Sequence, residues 1–139
     1  MTARAFVDSS ILIYAHDPAA GSRHAQAADK LKDLWRTRTG CLSTQVLQEF
    51  YVTVTRKIPT PVSAGVAREA VRHYAAWVRN PLTPATVIRA SELSEAWQLS
   101  FWDALILAAA EQDDATELIT EDLNHGQVIA GIRIVNPFL

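Results

Sequence analysis

The sequence predicts a single α/β domain built on a parallel sheet. Short apolar runs at Arg4–Val7, 117–120 and Ile132–Val135 have the length of buried strands, and amphipathic segments with helix-capping residues lie between them. The strand-then-helix order at the start of the chain favours the α/β class. With 139 residues, 49% hydrophobic and 20% charged, the chain matches one ordinary globular domain over 1–139.

The first half of the chain alternates strand and helix patterns. Ser9 or Ser10 would cap a short helix after the first strand. A longer helix follows, with apolar or small residues on one face, and Gly40 is placed to end it. This half therefore predicts strands over Arg4–Val7 and 41–43, and helices over 11–15, 22–38 and 44–57.

The second half is mainly helical until its last two strands. Pro59 and Pro61 break the helical pattern, and Thr83 with Pro84 has the composition of a helix start. Ser100 precedes the most apolar helix of the chain. This half predicts helices over 62–78, 83–98 and 101–112, strands over 117–120 and 132–135, and a turn at 124–126.

Charge and cysteine content limit the class of protein. Residues 1–79 carry 11 Lys and Arg against 6 Asp and Glu, whereas residues 80–139 carry 2 against 9. A basic flank beside an acidic region suits an enzyme that acts on nucleic acid, although solvated helix faces account for each single cluster. One cysteine, Cys41, excludes an internal disulfide. Because no apolar stretch is long enough to cross a bilayer, and Asp8 interrupts any signal-like start, we expect a soluble cytoplasmic protein without membrane contact.

Four acidic residues stand where a parallel sheet would bring them together. Asp8 and Asp122 each follow a strand pattern, Glu49 lies at the border of a helical apolar face, and Asp103 opens the most apolar helix. Ligands of open α/β sheets bind beyond the carboxyl ends of the strands. Carboxylates gathered there repel unless a cation lies among them, and oxygen ligands suit Mg²⁺ or Mn²⁺. Alone, each acid also fits an ordinary cap, surface or loop role.

The segments around these acids resemble the ordered motifs of PIN-domain ribonucleases, most closely the VapC toxins of bacterial toxin–antitoxin pairs. The resemblance is carried by 6–12, 48–50, 100–106 and 118–123, and it extends to the closing residues 135–138. It implies a three-layer α/β/α sandwich with a central parallel sheet. It also implies a Mg²⁺ or Mn²⁺ site, endonucleolytic cleavage of RNA, neutralisation by a cognate antitoxin, and a homodimer.

Carried over residue by residue, the resemblance assigns the metal-binding and catalytic acids to Asp8, Glu49, Asp103 and Asp122. Ser10 takes the hydroxyl position near the first acid, and Thr120 opens the family pattern Thr, any residue, Asp. Glu121 stays open as an alternative fourth acid. Basic residues of the first half are candidates for contact with the RNA backbone: Arg23, Arg36, Arg38, Arg56 and Lys57.

The expected reaction is metal-dependent hydrolysis of RNA that leaves a 5′-phosphate and a 3′-hydroxyl. The four histidines are scattered, which disfavours both a zinc site and attack by the RNA 2′-hydroxyl, and only His125 is retained as a candidate neighbour of the site. One alternative is a catalytically inactive PIN-like module that binds RNA or regulates a partner. A phosphoacceptor domain would need a late lysine, yet the last is Lys57, and a dinucleotide-binding enzyme would need a Gly-x-Gly motif that does not occur.

Overall fold

The chain folds into a five-stranded sheet that is flanked, within the described residues 3–139 of this computed structural model, by six α-helices. This confirms the predicted α/β/α architecture. The strands are β1 (Arg4–Val7), β2 (Gly40–Cys41), β3 (Ala115–Ile119), β4 (Val128–Ile129) and β5 (Ile132–Val135). The helices are α1 (Ser9–Ala15), α2 (Ser22–Thr37), α3 (Thr44–Arg56), α4 (Ala64–Tyr74), α5 (Pro84–Trp97) and α6 (Phe101–Gln112). None of the helices within residues 3–139 has the length and apolar character that a membrane span requires.

The strand order places β1 and β3 side by side in the middle of the sheet. Across the sheet the order is β2, β1, β3, β5, β4, and the first three of these pairings are parallel. The pairing of β4 with β5 is antiparallel, so one edge departs from the predicted all-parallel arrangement. Because β1 and β3 run in the same direction, the residues that follow them, Asp8 and Thr120, lie next to each other.

The core is centred on the two middle strands. Phe6 and Val7 of β1, and Leu118 and Ile119 of β3, are at most 1% exposed. Helix α6 packs against α5, β3 and β5, and all of its residues from 104 to 110 are buried. Burial of this apolar helix fixes where its first turn lies relative to the sheet.

Several element boundaries differ from those predicted. Helix α1 is capped by Asp8 rather than by Ser9 or Ser10, because the Asp8 carboxylate accepts from the Ser9 N–H at 2.7 Å. The strand predicted at 41–43 is Gly40–Cys41, and Ser43 stands at the start of α3. The helix predicted over 62–78 is the shorter α4 followed by a 3-10 turn. Strand β4 has only two residues, too few for an alternating pattern to reveal it.

Gly40 is a strand residue, and the prediction that it ends α2 is wrong. Helix α2 ends at Thr37, and Arg38 closes it in the left-handed conformation with φ of 60°. A Cβ atom on Gly40 would lie 2.7 Å from the Trp77 ring. Trp77 is held in turn by Trp35, with ring centroids 4.2 Å apart, so the close approach of ring to strand requires glycine.

We predict that Gly40→Ala lowers the free energy of unfolding by about 1–3 kcal/mol, because the added methyl overlaps a buried ring that cannot move freely. Denaturant unfolding followed by far-UV circular dichroism measures the change. Gly65→Ala is the matched control, since nothing lies within 4 Å of a Cβ atom built there. An equal loss of stability in both variants would contradict the packing explanation.

Candidate active site

Asp8 is the most tightly held acid of the four. Its backbone N–H donates to the Ile119 carbonyl oxygen at 3.0 Å, which continues the pairing of β1 with β3 beyond the last strand residue. Its Oδ1 accepts from the Ser9 N–H at 2.7 Å, and its Oδ2 accepts from the Thr120 hydroxyl at 2.8 Å. Both carboxylate oxygens are therefore oriented by residues that directly follow the two central strands.

None of the Lys and Arg residues between 3 and 139 forms an ion pair with the Asp8 carboxylate. Burial, which is the largest cause, and the nearby charges of Asp122 and Glu49 together raise its pKa from an ordinary value of 3.8 to about 7. The hydrogen bonds from Thr120 and Ser9 offset part of this rise. Neither Lys nor Arg is among these strongest influences on Asp8. A buried carboxylate in this state favours a proton or a cation from solution.

Asp122 lies within electrostatic reach of the other three predicted acids. The charge of Asp122 raises the pKa of Asp8, Glu49 and Asp103. For Glu49 and Asp103, burial is the largest cause of the raised pKa, and the charge of Asp103 also acts on Glu49. Four separate chain segments therefore contribute to one negatively charged cluster at the carboxyl edge of the sheet.

Two helices position the middle acids. Glu49 lies on α3, where the side chains of Ser9 and Gln45 favour its ionised form. Asp103 lies in the first turn of α6, and its backbone N–H donates to the Ser100 hydroxyl at 3.1 Å. Most of the apolar residues of each helix are buried, so core packing determines where these two carboxylates emerge.

Thr120 connects the first acid with the fourth. Its hydroxyl donates to Asp8 and accepts from the backbone N–H of Asp122 at 3.1 Å. The neighbouring Glu121 is engaged elsewhere, because its carboxylate accepts a hydrogen bond from the Tyr14 hydroxyl. The geometry therefore supports Asp122, rather than Glu121, as the fourth member of the cluster.

Two other predicted neighbours of the acids form no hydrogen bond with them within residues 3–139. The Ser10 hydroxyl is buried and has no hydrogen-bond partner within the described part of the chain, whereas Ser9 lies at the Glu49 carboxylate. His125 accepts from the Asn136 N–H through Nδ1 at 3.0 Å, so its ring joins two loop segments. Sequence reasoning missed the contact of Ser9 with Glu49, for which adjacency to Asp8 was the available signal.

Of the basic candidates, Lys57 and Arg23 lie beside residues of the cluster. Lys57, which follows α3, lines a cleft of about 440 Å³ together with Ser9 and Glu49. Arg23 donates to Glu121 at 3.2 Å, and its guanidinium is thereby held one residue away from the fourth acid. Arg56 is exposed in the last turn of α3.

The remaining two basic candidates lie away from the cluster. Arg36 forms an ion pair with Asp33 on the surface of α2. Arg38 precedes β2, and Ala5 of β1 pairs with Gly40 at the start of that strand. Because β1 and β2 are parallel, Arg38 lies at the end of the sheet opposite to Asp8. The structure does not bring these two arginines to the acids.

The donor set of the cluster fits a hard divalent cation. It consists of carboxylate and hydroxyl oxygens without imidazole or thiolate, which is the ligand chemistry of Mg²⁺ and Mn²⁺. As the side chains stand, no group of three or more His, Cys, Asp or Glu residues between 3 and 139 is arranged to hold a metal ion. Burial and the nearby carboxylates raise the pKa of Asp8, and a bound cation would offset the repulsion among these acids.

Comparison with known proteins assigns the family. The family model described as PIN domain matches residues 5–129, nearly the whole chain. The chain belongs to the PIN domain family. This confirms the family predicted from the acidic motifs, and it agrees with a fold in which a mostly parallel sheet is flanked by helices. No curated protein gives a significant match.

Solved structures share the PIN fold of this chain. A toxin–antitoxin complex from Klebsiella pneumoniae is 23% identical with a TM-score of 0.65, covering 96% of this chain and 97% of the other. The VapC20 toxin of Mycobacterium tuberculosis, described as cleaving the sarcin-ricin loop, is 20% identical with a TM-score of 0.62. This similarity covers 93% of this chain and 98% of the toxin. DNA-bound VapBC from Salmonella typhimurium is 14% identical with a TM-score of 0.66, and the similarity covers 96% of this chain and 97% of the other.

We predict that Asp8→Asn stabilises the metal-free PIN domain, and that this effect increases with pH. Because the pKa of Asp8 in the folded chain, about 7, exceeds its ordinary value, folding favours the protonated carboxyl, and this contribution is lost as the pH rises through 7. Asparagine cannot ionise. The stability difference between variant and parent should grow by about 1–3 kcal/mol from about pH 5 to about pH 8.

Denaturant unfolding in the presence of EDTA measures this difference at each pH. Asp29→Asn, at an exposed position on α2, is the control for loss of a carboxylate as such. A difference between Asp8→Asn and the parent that stays constant with pH would show that Asp8 does not carry the unbalanced charge.

Proposed function

We propose that this PIN domain is a metal-dependent endoribonuclease and the toxin of a toxin–antitoxin pair. The observation that supports a nuclease is the cluster of Asp8, Glu49, Asp103 and Asp122, in which burial and then the charge of Asp122 raise the pKa of the other three acids. The similarity to a toxin described as cleaving the sarcin-ricin loop supports RNA as the substrate class. Similarity to toxin–antitoxin complexes supports the biological setting.

In this proposal the four acids hold one or two Mg²⁺ or Mn²⁺ ions. Such a cation, when bound, supplies a nucleophile from water at neutral pH and polarises a phosphodiester oxygen. Thr120 keeps the Asp8 carboxylate in a fixed orientation, and Ser9 favours ionised Glu49. The raised pKa of Asp8 means that cation binding would release a proton at neutral pH and below.

The substrate strand would pass along the cleft lined by Glu49 and Lys57. Lys57 is the basic residue best placed to contact a backbone phosphate there, and Arg23 becomes available if its pairing with Glu121 opens. Hydrolysis in this arrangement breaks the bond between phosphorus and the 3′-oxygen, which leaves a 3′-hydroxyl and a 5′-phosphate. The 2′-hydroxyl takes no part as nucleophile in this route.

We predict that Asp8→Asn and Asp103→Asn each lower Mg²⁺-dependent cleavage of structured RNA by more than roughly 100-fold, because each removes one charged ligand of the proposed cation. Asp122→Asn should have a comparable effect, whereas Glu121→Gln should retain activity, because Glu121 contacts Tyr14 instead. Gel analysis of end-labelled RNA measures the rate and identifies the product ends.

Asp29→Asn again serves as the control for a distant acid. Undiminished cleavage by the Asp8 and Asp103 variants would refute the nuclease site. A catalytically inactive RNA-binding module is recognised differently: it would bind RNA, cleave none, and show no rise in Tm when Mg²⁺ or Mn²⁺ is added.

The antitoxin is proposed to bind an apolar groove beside the acids. The groove has a volume of about 390 Å³ and lies between α3 and α4, where Leu47, Tyr51, Val52 and Val71 contribute to its lining. Val52 also lines the cleft of Glu49, so a helix in the groove could direct a basic side chain toward the carboxylates. A homodimer, which the resemblance implies, is part of the same proposal.

Part of the apolar face of α3 packs in the core and does not line the groove. Phe50 and Val54 are completely buried, whereas Tyr51 remains accessible to a partner. The apolar lining of the groove comes from Leu47, Tyr51 and Val52 of α3 together with Val71 of α4.

We predict that Val52→Asp weakens binding of the antitoxin at least tenfold, because it places a charge in an apolar groove. The measurement is co-purification, followed by titration, of the chain with the product of the adjacent upstream reading frame. Val66→Asp, at an exposed valine of α4 outside the groove, should bind normally. Recovery of the chain alone, without any effect on growth, would contradict the toxin assignment.

A further inference from the structure

Trp102 is more exposed than any other Trp, Tyr or Phe in the described chain. It is 64% exposed, although the helix α6 that carries it is buried at every residue from 104 to 110. Full burial of a large aromatic side chain stabilises a folded protein, and this position forgoes most of that gain. The side chain therefore has no evident role in the core.

The position of Trp102 is fixed relative to the acids. It directly precedes Asp103 in the first turn of α6. Its carbonyl oxygen accepts from Gln45 Nε2 at 3.5 Å, and the Gln45 side chain also acts on Glu49. The half-buried Phe101 braces the indole, with ring centroids 5.3 Å apart and planes at 81°. The ring is thus open to solvent on a residue whose backbone stands next to Asp103 and contacts the Gln45 side chain.

The chemistry of the cluster limits how RNA can bind there. Four carboxylates repel backbone phosphates, and Lys57 is the nearest basic residue that shares a cleft with one of them. Stacking of a base on an aromatic face is insensitive to that repulsion, and it is the way in which proteins hold unpaired bases. A single exposed indole next to the acids provides such a platform.

We propose that Trp102 stacks on a nucleobase of single-stranded RNA and thereby positions the adjoining phosphodiester at the acids. This inference rests on the proposed ribonuclease function and adds the substrate feature that the site recognises: an unpaired base beside the scissile bond. A protein partner is less well matched to this position, because Trp102 is followed by a carboxylate and does not line the apolar groove between α3 and α4.

The test compares Trp102→Leu, Trp102→Tyr and Trp97→Leu. Trp97 is the matched control, since it is the second exposed tryptophan, 40% accessible, and it stands at the end of α5. Fluorescence anisotropy in EDTA measures binding of a labelled single-stranded oligoadenylate, a duplex RNA of the same length, and inorganic polyphosphate. Quenching of the intrinsic tryptophan fluorescence reports the stacking itself, and size-exclusion chromatography reports the oligomeric state.

We expect Trp102→Leu to weaken oligoadenylate binding roughly 5- to 150-fold, the change that corresponds to about 1–3 kcal/mol of stacking. It should also abolish the quenching and raise the KM for cleavage more than it lowers kcat. Trp102→Tyr should restore most of the affinity, because a phenol ring still stacks. Trp97→Leu, and polyphosphate binding by every variant, should stay unchanged.

Oligoadenylate binding within twofold of the parent in Trp102→Leu would overturn the inference. It would also be overturned if Trp97→Leu lost as much oligoadenylate affinity as Trp102→Leu, or if Trp102→Leu lost polyphosphate or duplex binding to the same extent as oligoadenylate binding. A change of oligomeric state in Trp102→Leu would overturn it as well, because it would indicate that Trp102 forms a contact between copies. If RNA is cleaved normally by Trp102→Leu, only this inference fails. If the parent neither binds nor cleaves RNA, the inference fails together with the proposed function.

Discussion

Repulsion among buried or partly buried carboxylates is the constraint on which the rest of this molecule depends. A carboxylate that is 7% exposed, with two like charges nearby, is costly to keep, and no core packing requires it. The fold retains it by fixing Asp8 between the central strands, with hydrogen bonds from Ser9 and Thr120 to its two oxygens. The folded chain thereby loses stability at this one residue, and binding of the proposed divalent cation would restore it.

The sheet and the two acid-bearing helices have distinct tasks in this arrangement. Parallel pairing of β1 with β3 brings Asp8 and Thr120 together, although 112 residues separate them along the chain. Burial of the apolar faces of α3 and α6 then directs Glu49 and Asp103 to the same edge. The acids are placed by backbone geometry and core packing rather than by bonds among themselves, which leaves their oxygens available to a ligand.

Most elements of the fold were predictable because their signals are local. Apolar runs, proline breaks and capping residues located all six helices, including the start of α5 at Thr83 and Pro84. Features that depend on tertiary contacts were not predicted correctly. Gly40 resembled a helix stop in the sequence, but its small size serves the packing of Trp77. Strand β4 exists only because β5 offers it an edge.

The sequence by itself determined the class of fold and the family, and it predicted the four acids of the proposed site, because periodicity and residue type are properties of short segments. Only the tertiary structure decided between Glu121 and Asp122 as neighbours of Asp8, and separated Lys57 from Arg38. The physical reason is the same in both cases. Contacts between residues far apart in the chain determine the direction that the backbone takes beyond the end of a strand. They also determine on which face of the molecule a long side chain emerges.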